Sequence, residues 1–411
     1  MKYSIIFLVI DMNDYLNKGR EILQKLKENN FEAFFVGGFV RDKLLGITSE
    51  DIDITTSATP DEVIALFKHV KETGKKYGTV TILKGEFKFE VTTFRSDGEY
   101  VDKRRPTEVT YSKNIEEDLS RRDFTINALI MDEEDNINDY HNGLHDLKHK
   151  LIKTINNPMT RFKEDALRML RAFRFVSKLG FDIDDNTFEA IKELKSSIKD
   201  LAIERVMVEL EKIIKGTHRN KAFKLMLESG VADELYGIKE GIEHVSKMEE
   251  EVYPLEFFII AFVLNDMDDV WKFSNNEFRI IQKVYNLHEV TKEDVFNKFI
   301  VYVNKLEGCL LTNRINVLLG YADQEELIRT IHNELPIHDV CDLKFKGQDI
   351  IWLTELRKKS WIGIIVDDLK YNVIMGLLPN EYEPLKEYAL IKVEELIKEM
   401  GDQEWVNTIH I

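Results

Sequence analysis

The chain has only two cysteines, Cys309 and Cys341, in 411 residues. It therefore has no disulfide framework and too few thiols for a zinc cluster, which fits a reducing cytoplasm. No apolar run is long enough to cross a bilayer, so no membrane attachment is expected. The opening MKYSIIFLVIDMND places Lys2 ahead of an apolar run, as a signal peptide would. That run is short, lacks a small-residue cleavage site and ends in acidic residues, so export is not expected and Met12 makes an equally sensible start. Internal repeats and low-complexity linkers are missing too. So is an overall basic balance: the net charge of −17 argues against a general nucleic-acid binder.

Basic residues are present in clusters, at Lys103-Arg104-Arg105, Arg121-Arg122, Arg161 to Arg174 and Arg357-Lys358-Lys359. A narrow basic track on an acidic body would bind a polyanion in a salt-sensitive way. The length points to two to four domains, and the 44% hydrophobic content is that of an ordinary globular protein. The first third mixes elements. YLNKGREILQKLKENN has helical periodicity, FEAFFVGG reads as a strand entering a tight turn, and VRDKLLG is a short helix stopped by Gly46. Thr59 ahead of Pro60 starts a helix, and GTVTILKGEFKFEVTTF reads as a hairpin turning at Lys84-Gly85. Strand signals nearly vanish after Asn157, and amphipathic helices follow one another. The expected plan is an α+β head followed by all-α domains.

The segment GGFVRDKLLGITSEDIDI carries the chemistry. Asp51 and Asp53 lie two apart on a strand, so both side chains share a face. Paired carboxylates suit hard Mg2+ ions, which share oxygen ligands with phosphates and can activate an attacking hydroxyl. Gly37 and Gly38 let the backbone approach a triphosphate, the helix after them offers free N–H groups, and Arg41 one turn in can neutralise charge. Each part alone is common in turns and edge strands; their order makes the combination informative. Glu90 in FKFEVTTF points away from the apolar face, either as a third carboxylate of the site or as an ordinary exposed strand residue.

A second stretch, EDALRMLRAFRF (164–175), reads as one helix whose Leu167, Leu170, Phe173 and Phe175 bury a side. Asp165, Arg168, Arg171 and Arg174 form a neighbouring stripe, either an ion-paired surface face or a ligand-facing one.

GGFVRDKLLG…DIDI, RRDFTINALIMD, DYHNGLHDLKHKLIKTI and RFKEDALRMLRAFRF, in that order over residues 31 to 176, closely resemble the class II tRNA nucleotidyltransferases, the bacterial CCA-adding enzymes. A weaker likeness continues through LPIHDVCDLKFKGQDII and VIMGLLPNE. The resemblance implies a polymerase-β-like nucleotidyltransferase head at 12–156, then helical neck (157–225), body (226–335) and tail (336–411). It implies that Asp51 and Asp53 hold catalytic Mg2+; Glu90 is taken as a catalytic residue beside them from its strand position. Gly37, Gly38 and Arg41 would then meet the triphosphate, Arg122 the nucleotide, and Asp123 with Asn127 would read or support the ribose. Asp165 would accept from the amino group of cytosine or adenine, Arg168 would donate to the adjacent ring nitrogen, and Arg171 and Arg174 would extend that contact. This sequence has His141-Asn142 where Phe-Gly is common, which leaves the turn there open. Residues 96–111 occupy the place of a loop needed to switch from C to A addition. The implied partners are tRNA, gripped by the helical remainder, and CTP and ATP as substrates. Trp352 and Trp361 are expected in the core rather than stacked on bases. The rival readings are an A-adding-only enzyme, a bacterial poly(A) polymerase, and an inactive RNA-binding relative; the intact acidic pair and the acidic end KVEELIKEMGDQEW speak against the last two.

Overall fold

The computed structural model describes residues 12–49, 51–96, 110–265, 270–354 and 359–400. Two compact units divide the chain: Met1–Phe257 with Asn265–Lys272, and Phe258–Leu264 with Phe273–Ile411.

The first unit opens with the expected α+β head. Helix α1 (Met12–Glu28) leads through β1 (Ala33–Val36), α2 (Gly38–Leu44), β2 (Ile52–Thr56), α3 (Pro60–Leu66), β3 (Val70–Lys71) and β4 (Thr79–Lys84) to β5 (Phe87–Thr93). A small antiparallel pair follows, β6 (Arg95–Ser96) with β7 (Thr110–Tyr111). Then come α4 (Ile115–Ser120), β8 (Ile130–Met131), β9 (Ile137–Asn138) and α5 (Gly143–Lys148). Among the described residues these give one seven-stranded sheet in the order β3-β4-β5-β2-β1-β8-β9. All its neighbours are antiparallel except β2 and β5, whose parallel register sets Asp53 beside Glu90.

Local chemistry accounts for these elements. Thr59 makes a full capping box with Glu62, and Pro60 opens α3, where its missing N–H costs nothing. The hairpin turns one residue later than expected: Lys84 still pairs with Phe87, leaving Gly85 and Glu86 as the loop. Helix α1 buries Ile22, Leu23 and Leu26, and the strands bury Phe35, Ile52, Ile54, Phe89 and Val91.

The same unit continues with β10 (Leu151–Ile152), α6 (Pro158–Glu164), α7 (Leu167–Leu179), β11 (Asp182–Ile183), α8 (Asp185–Leu194), α9 (Ile203–Ile214), α10 (Arg219–Ser229) and α11 (Lys239–Val245). The stretch expected as a single helix is two. Asp165 takes extended angles (φ −149°, ψ 104°) and separates α6 from α7. Helix α7 is anchored by buried Leu167, Met169, Leu170, Phe173, Phe175 and Val176.

Helix α12 (Pro254–Leu264) runs across the division of the chain. The second unit is helical: α13 (Asn275–Thr291), α14 (Lys298–Leu318), α15 (Glu325–Asn333), α16 (Gly347–Thr354), α17 (Lys359–Ile374) and α18 (Tyr382–Met400). Phe296, Phe345, Ile365, Leu369 and Leu385 centre its core. Trp361 joins that core as expected, but Trp352 does not: it is 72% exposed on α16. The apolar periodicity around Trp352 places its neighbour Ile350, not the indole, on the buried face. No helix among the described residues is long and apolar enough to cross a membrane.

Candidate active site

Asp51 stands just before β2 and is exposed, Ile52 is buried, and Asp53 is half-buried, so the two carboxylates flank a core residue on one face. Glu90, exposed on β5, is the register partner of Asp53. Among the described residues none of the three side chains makes a hydrogen bond or ion pair. Burial, with Glu90 and Asp51 beside it, lifts the Asp53 carboxyl to about 6, against the pull of Arg122. A half-buried acidic group with no protein cation bonded to it fits a hard divalent ion. The oxygens of Asp51, Asp53 and Glu90 do not all converge as a trio, although Glu90 raises the Asp53 carboxyl more than Asp51 does. The one trio within 4.8 Å among the described residues is Asp132, Glu133 and Glu134. That trio is a turn held by its own bonds, with Asp132 accepting from the N–H groups of Glu134 and Asn136 and Glu133 paired to Lys27.

Across from the acidic pair, Gly37 takes φ +74° and ψ −133°, angles that a side chain resists. The turn delivers Gly38 into α2 and Arg41 into the interior, only 2% exposed. Arg41 donates Nε and Nη2 to Asp42 Oδ1 at 2.8 and 2.7 Å, and Nη1 to Asn127 Oδ1 at 2.5 Å. Lys178 at the end of α7 donates to the other Asp42 oxygen at 2.8 Å. Asn127 passes the chain on, with Nδ2 donating to Asp123 Oδ1 at 3.0 Å.

Asp123 is saturated. Oδ1 also accepts the N–H of Phe124 at 2.8 Å, and Oδ2 accepts Nε and Nη2 of Arg171 at 2.8 and 2.5 Å. Four bonds fill about the four lone-pair sites that a carboxylate offers. Burial raises this carboxyl, but Arg171 and the hydrogen bonds outweigh it and hold the group at about 2. The turn beneath is braced from DYHNGLHDLKHK. Thr125 donates to Asp146 at 2.7 Å, and Asp139 caps the N–H groups of Gly143 and Leu144 at 2.9 Å each. Asn142 occupies the left-handed region (φ +59°), which asparagine tolerates in place of glycine. Gly143 has no such latitude, because a Cβ there would sit 2.3 Å from the Thr125 carbonyl oxygen.

The break between α6 and α7 displays Asp165. Its Oδ1 accepts from the N–H of Leu167 at 3.1 Å, and its Oδ2 from Arg205 Nη2 at 2.8 Å. Arg168 does not pair with Asp165. It donates Nη1 to the Arg161 carbonyl (2.7 Å) and Glu164 (2.6 Å), and Nη2 to the Arg121 carbonyl (3.2 Å). Of its five donors this leaves the Nε–H and one Nη2–H without a partner among the described residues. Arg174 lies 3.5 Å from buried Glu209, which also approaches Arg171 at 3.9 Å. Arg122 donates to Asp118 at 3.2 Å, while its buried Nε has no hydrogen-bond partner among the described residues.

One cavity of about 860 Å³ gathers Gly37, Gly38, Arg41, Asp51, Asp53, Arg122, Asp123, Asn127, Asp165, Arg168, Arg171 and Arg174. Glu90 is the one singled-out residue that does not line it. Reading the sequence missed Asp42, Lys178, Arg205, Lys212 and Lys215, which do. Nine basic and five acidic side chains line the space, so a chain of net charge −17 keeps a positive cavity suited to a polyphosphate. Residues 97–109 of the expected switching loop, and Arg357 and Lys358 with the side chain of Lys359, lie outside the described residues.

A head of this topology, with an acidic pair at a strand end facing a Gly-Gly turn across a cationic cavity, defines a nucleotidyltransferase. Residues 33–153 match the family described as Poly A polymerase head domain. Residues 180–238 match a probable RNA and SrmB-binding site of polymerase A, and residues 265–389 a putative tRNA nucleotidyltransferase domain 2. The CCA-adding enzyme of Oceanobacillus iheyensis is 38% identical over 91% of this chain and 96% of its own length. That of Listeria innocua is 36% identical over 92% and 98%. The crystal structure of the Bacillus stearothermophilus CCA-adding enzyme in complex with CTP is 29% identical, with a TM-score of 0.80 over 93% of this chain and 99% of that one. The chain belongs to the CCA-adding enzymes, a family of tRNA nucleotidyltransferases that work with a divalent metal.

Proposed function

We propose that the chain adds cytidine, cytidine and adenosine in turn to the 3′ end of tRNA, using CTP and ATP without a nucleic-acid template and releasing pyrophosphate. One observation carries this reading: a single cavity holds an acidic pair, a glycine turn, and Asp165 and Arg168, each fixed by partners of its own. Asp51 and Asp53 are the residues that would hold Mg2+, with Glu90 adding negative charge beside Asp53. When bound there, the ion supplies Lewis acidity for the attacking 3′-hydroxyl and neutralises the departing pyrophosphate.

The remaining work falls to the protein. Gly37 and Gly38 admit the triphosphate close to the backbone, and Arg122 meets it with an Nε that lacks a partner among the described residues. Buried Arg41 acts through Asn127, and saturated Asp123 supports the sugar side by fixing Arg171 rather than by accepting a hydroxyl directly. Asp165 accepts from N4 of cytosine or N6 of adenine, and Arg168 gives its remaining donors to N3 or N1. Uracil and guanine turn a carbonyl toward Asp165, and each unmatched buried group costs about 1–3 kcal/mol. Because Arg205 and the Leu167 N–H hold Asp165, and two carbonyls and Glu164 hold Arg168, the pair keeps its geometry for both substrates. The head, neck, body and tail divisions at 156/157, 225/226 and 335/336 belong to this reading, as do tRNA contacts by the helical remainder and a cytoplasmic setting.

Incubating the protein with tRNA that lacks its terminal CCA, and offering CTP, ATP or both, tests the proposal. A single product ending in CCA is expected with both nucleotides. Ladders from ATP alone would instead mean poly(A) synthesis, and arrest at CC would mean a CC-adding enzyme.

A further inference from the structure

Another side chain reaches the acidic strand ends from neither strand. Tyr15, in the first turn of α1, is only 4% exposed. Its ring stacks on Phe87, with centroids 4.7 Å apart, and meets Phe89 edge-on at 4.9 Å. Its hydroxyl donates to the Lys88 carbonyl at 2.5 Å and accepts the Ile52 N–H at 3.4 Å. Ile52 is the residue between Asp51 and Asp53, and Lys88 lies two before Glu90. Pairing of β2 with β5 begins at Ile52 and Phe89, so the phenol oxygen bridges the strands where their ladder starts.

We propose that Tyr15 is a positioning residue for the metal site. Its hydroxyl ties the strand carrying Asp51 and Asp53 to the strand carrying Glu90 and sets the spacing of carboxylates that repel one another. The need for such a tie follows from charge. Like charges held near one another in a partly desolvated cleft repel, and that repulsion falls on the two strands that carry them. Opposing this, the buried hydrogen bond to Lys88 and the two ring contacts hold the phenol, and with it the junction of the strands, in place. The phenol serves as a neutral donor. Burial and the nearby Asp51, Asp53 and Glu90 raise its pKa above the ordinary tyrosine value, despite the Ile52 N–H that pulls it down.

This inference rests on the proposed role of Asp51 and Asp53, and the experiment separates the two. Mn2+ binding to the full-length chain is titrated by electron paramagnetic resonance, with thermal unfolding measured alongside. Tyr15→Phe keeps both ring contacts and is expected to weaken Mn2+ binding about 10-fold, the scale seen when a ligand's supporting partner is lost. Thr93→Val is the matched control. It deletes a comparable buried hydroxyl-to-carbonyl bond, 2.7 Å to Ala58, at the other end of β5. That variant is expected to lose similar thermal stability and keep wild-type Mn2+ affinity. Unchanged affinity in Tyr15→Phe, or an equal loss in Thr93→Val, overturns the positioning role. Asp51→Asn is expected to abolish binding. Survival of Mn2+ binding in that variant overturns the metal-site reading and the Tyr15 proposal with it.

Discussion

At the start of β2 Asp51 and Asp53, with Glu90 in register on β5, stand without a bonded cation among the described residues, whereas in and just before α7 each charged side chain already has an opposite number. Asp165 has Arg205, Arg168 has Glu164, Arg171 has Asp123, Arg174 has Glu209 and Lys178 has Asp42. The carboxyl groups report the difference directly: Asp53 is pushed up to about 6 and Asp123 is pulled down to about 2. The acidic strand end is relieved only when something cationic arrives, so it suits a mobile ion. The α7 wall is settled beforehand, which is what the proposed role of a fixed template for the base would require.

The comparison breaks most visibly at Asp53. Asp53→Asn is expected to cut incorporation of both CTP and ATP by about 10³-fold or more, while stabilising the metal-free protein. A carboxyl raised from 3.8 to about 6 contributes stability that is complete below the unfolded pKa and lost as pH rises through 6. Allowing for the water that reaches this half-buried group, the asparagine variant should gain about 2 kcal/mol at pH 7 and almost nothing at pH 4. Thermal melts in chelator across that range check both halves; a gain as large at pH 4 as at pH 7 would contradict the account.

Asp123→Asn should behave in the opposite sense. It removes the buried counter-charge of half-buried Arg171 and is expected to destabilise the protein by about 2 kcal/mol at neutral pH, measurable by urea unfolding. Stability equal to wild type would mean that the Asp123–Arg171 pair is not what holds the wall.

The smallest effect sharpens the comparison rather than breaking it. Asp165→Ala should leave most CTP incorporation in place but admit UTP or GTP, shrinking discrimination by the equivalent of about 1–3 kcal/mol. Single-nucleotide incorporation assays with each of the four triphosphates measure it. Selectivity unchanged from wild type would sink the fixed-template reading.

What the sequence disclosed follows the range of the interactions. The acidic pair, the Gly-Gly turn, Asp123 with Asn127, and the arginine stripe depend on spacings of a few residues, and all of these line the cavity. The order of an α+β head and helical remainder was likewise readable from periodicity. Partners far away in the chain were not: Asp42 meets Lys178 across 136 positions, and Arg205 meets Asp165 across 40. Nor was the break at Asp165, since the apolar pattern runs through it unbroken and only the carboxylate's bond to the Leu167 N–H marks a new helix start. Trp352 was misplaced because hydrophobicity alone does not say which side of a short helix faces inward.

The break between α6 and α7 also has a consequence for how such an enzyme can be altered. A residue in the middle of a helix is constrained by propensity, so glycine, serine or asparagine there carries a stability cost of its own. Asp165 sits in extended backbone, outside either helix, and escapes that constraint. Residue 165 can therefore be varied over types that still accept the Leu167 N–H, such as asparagine, serine and threonine, with the helices on both sides left intact, which makes it the natural position to vary when selecting variants with a new nucleotide preference.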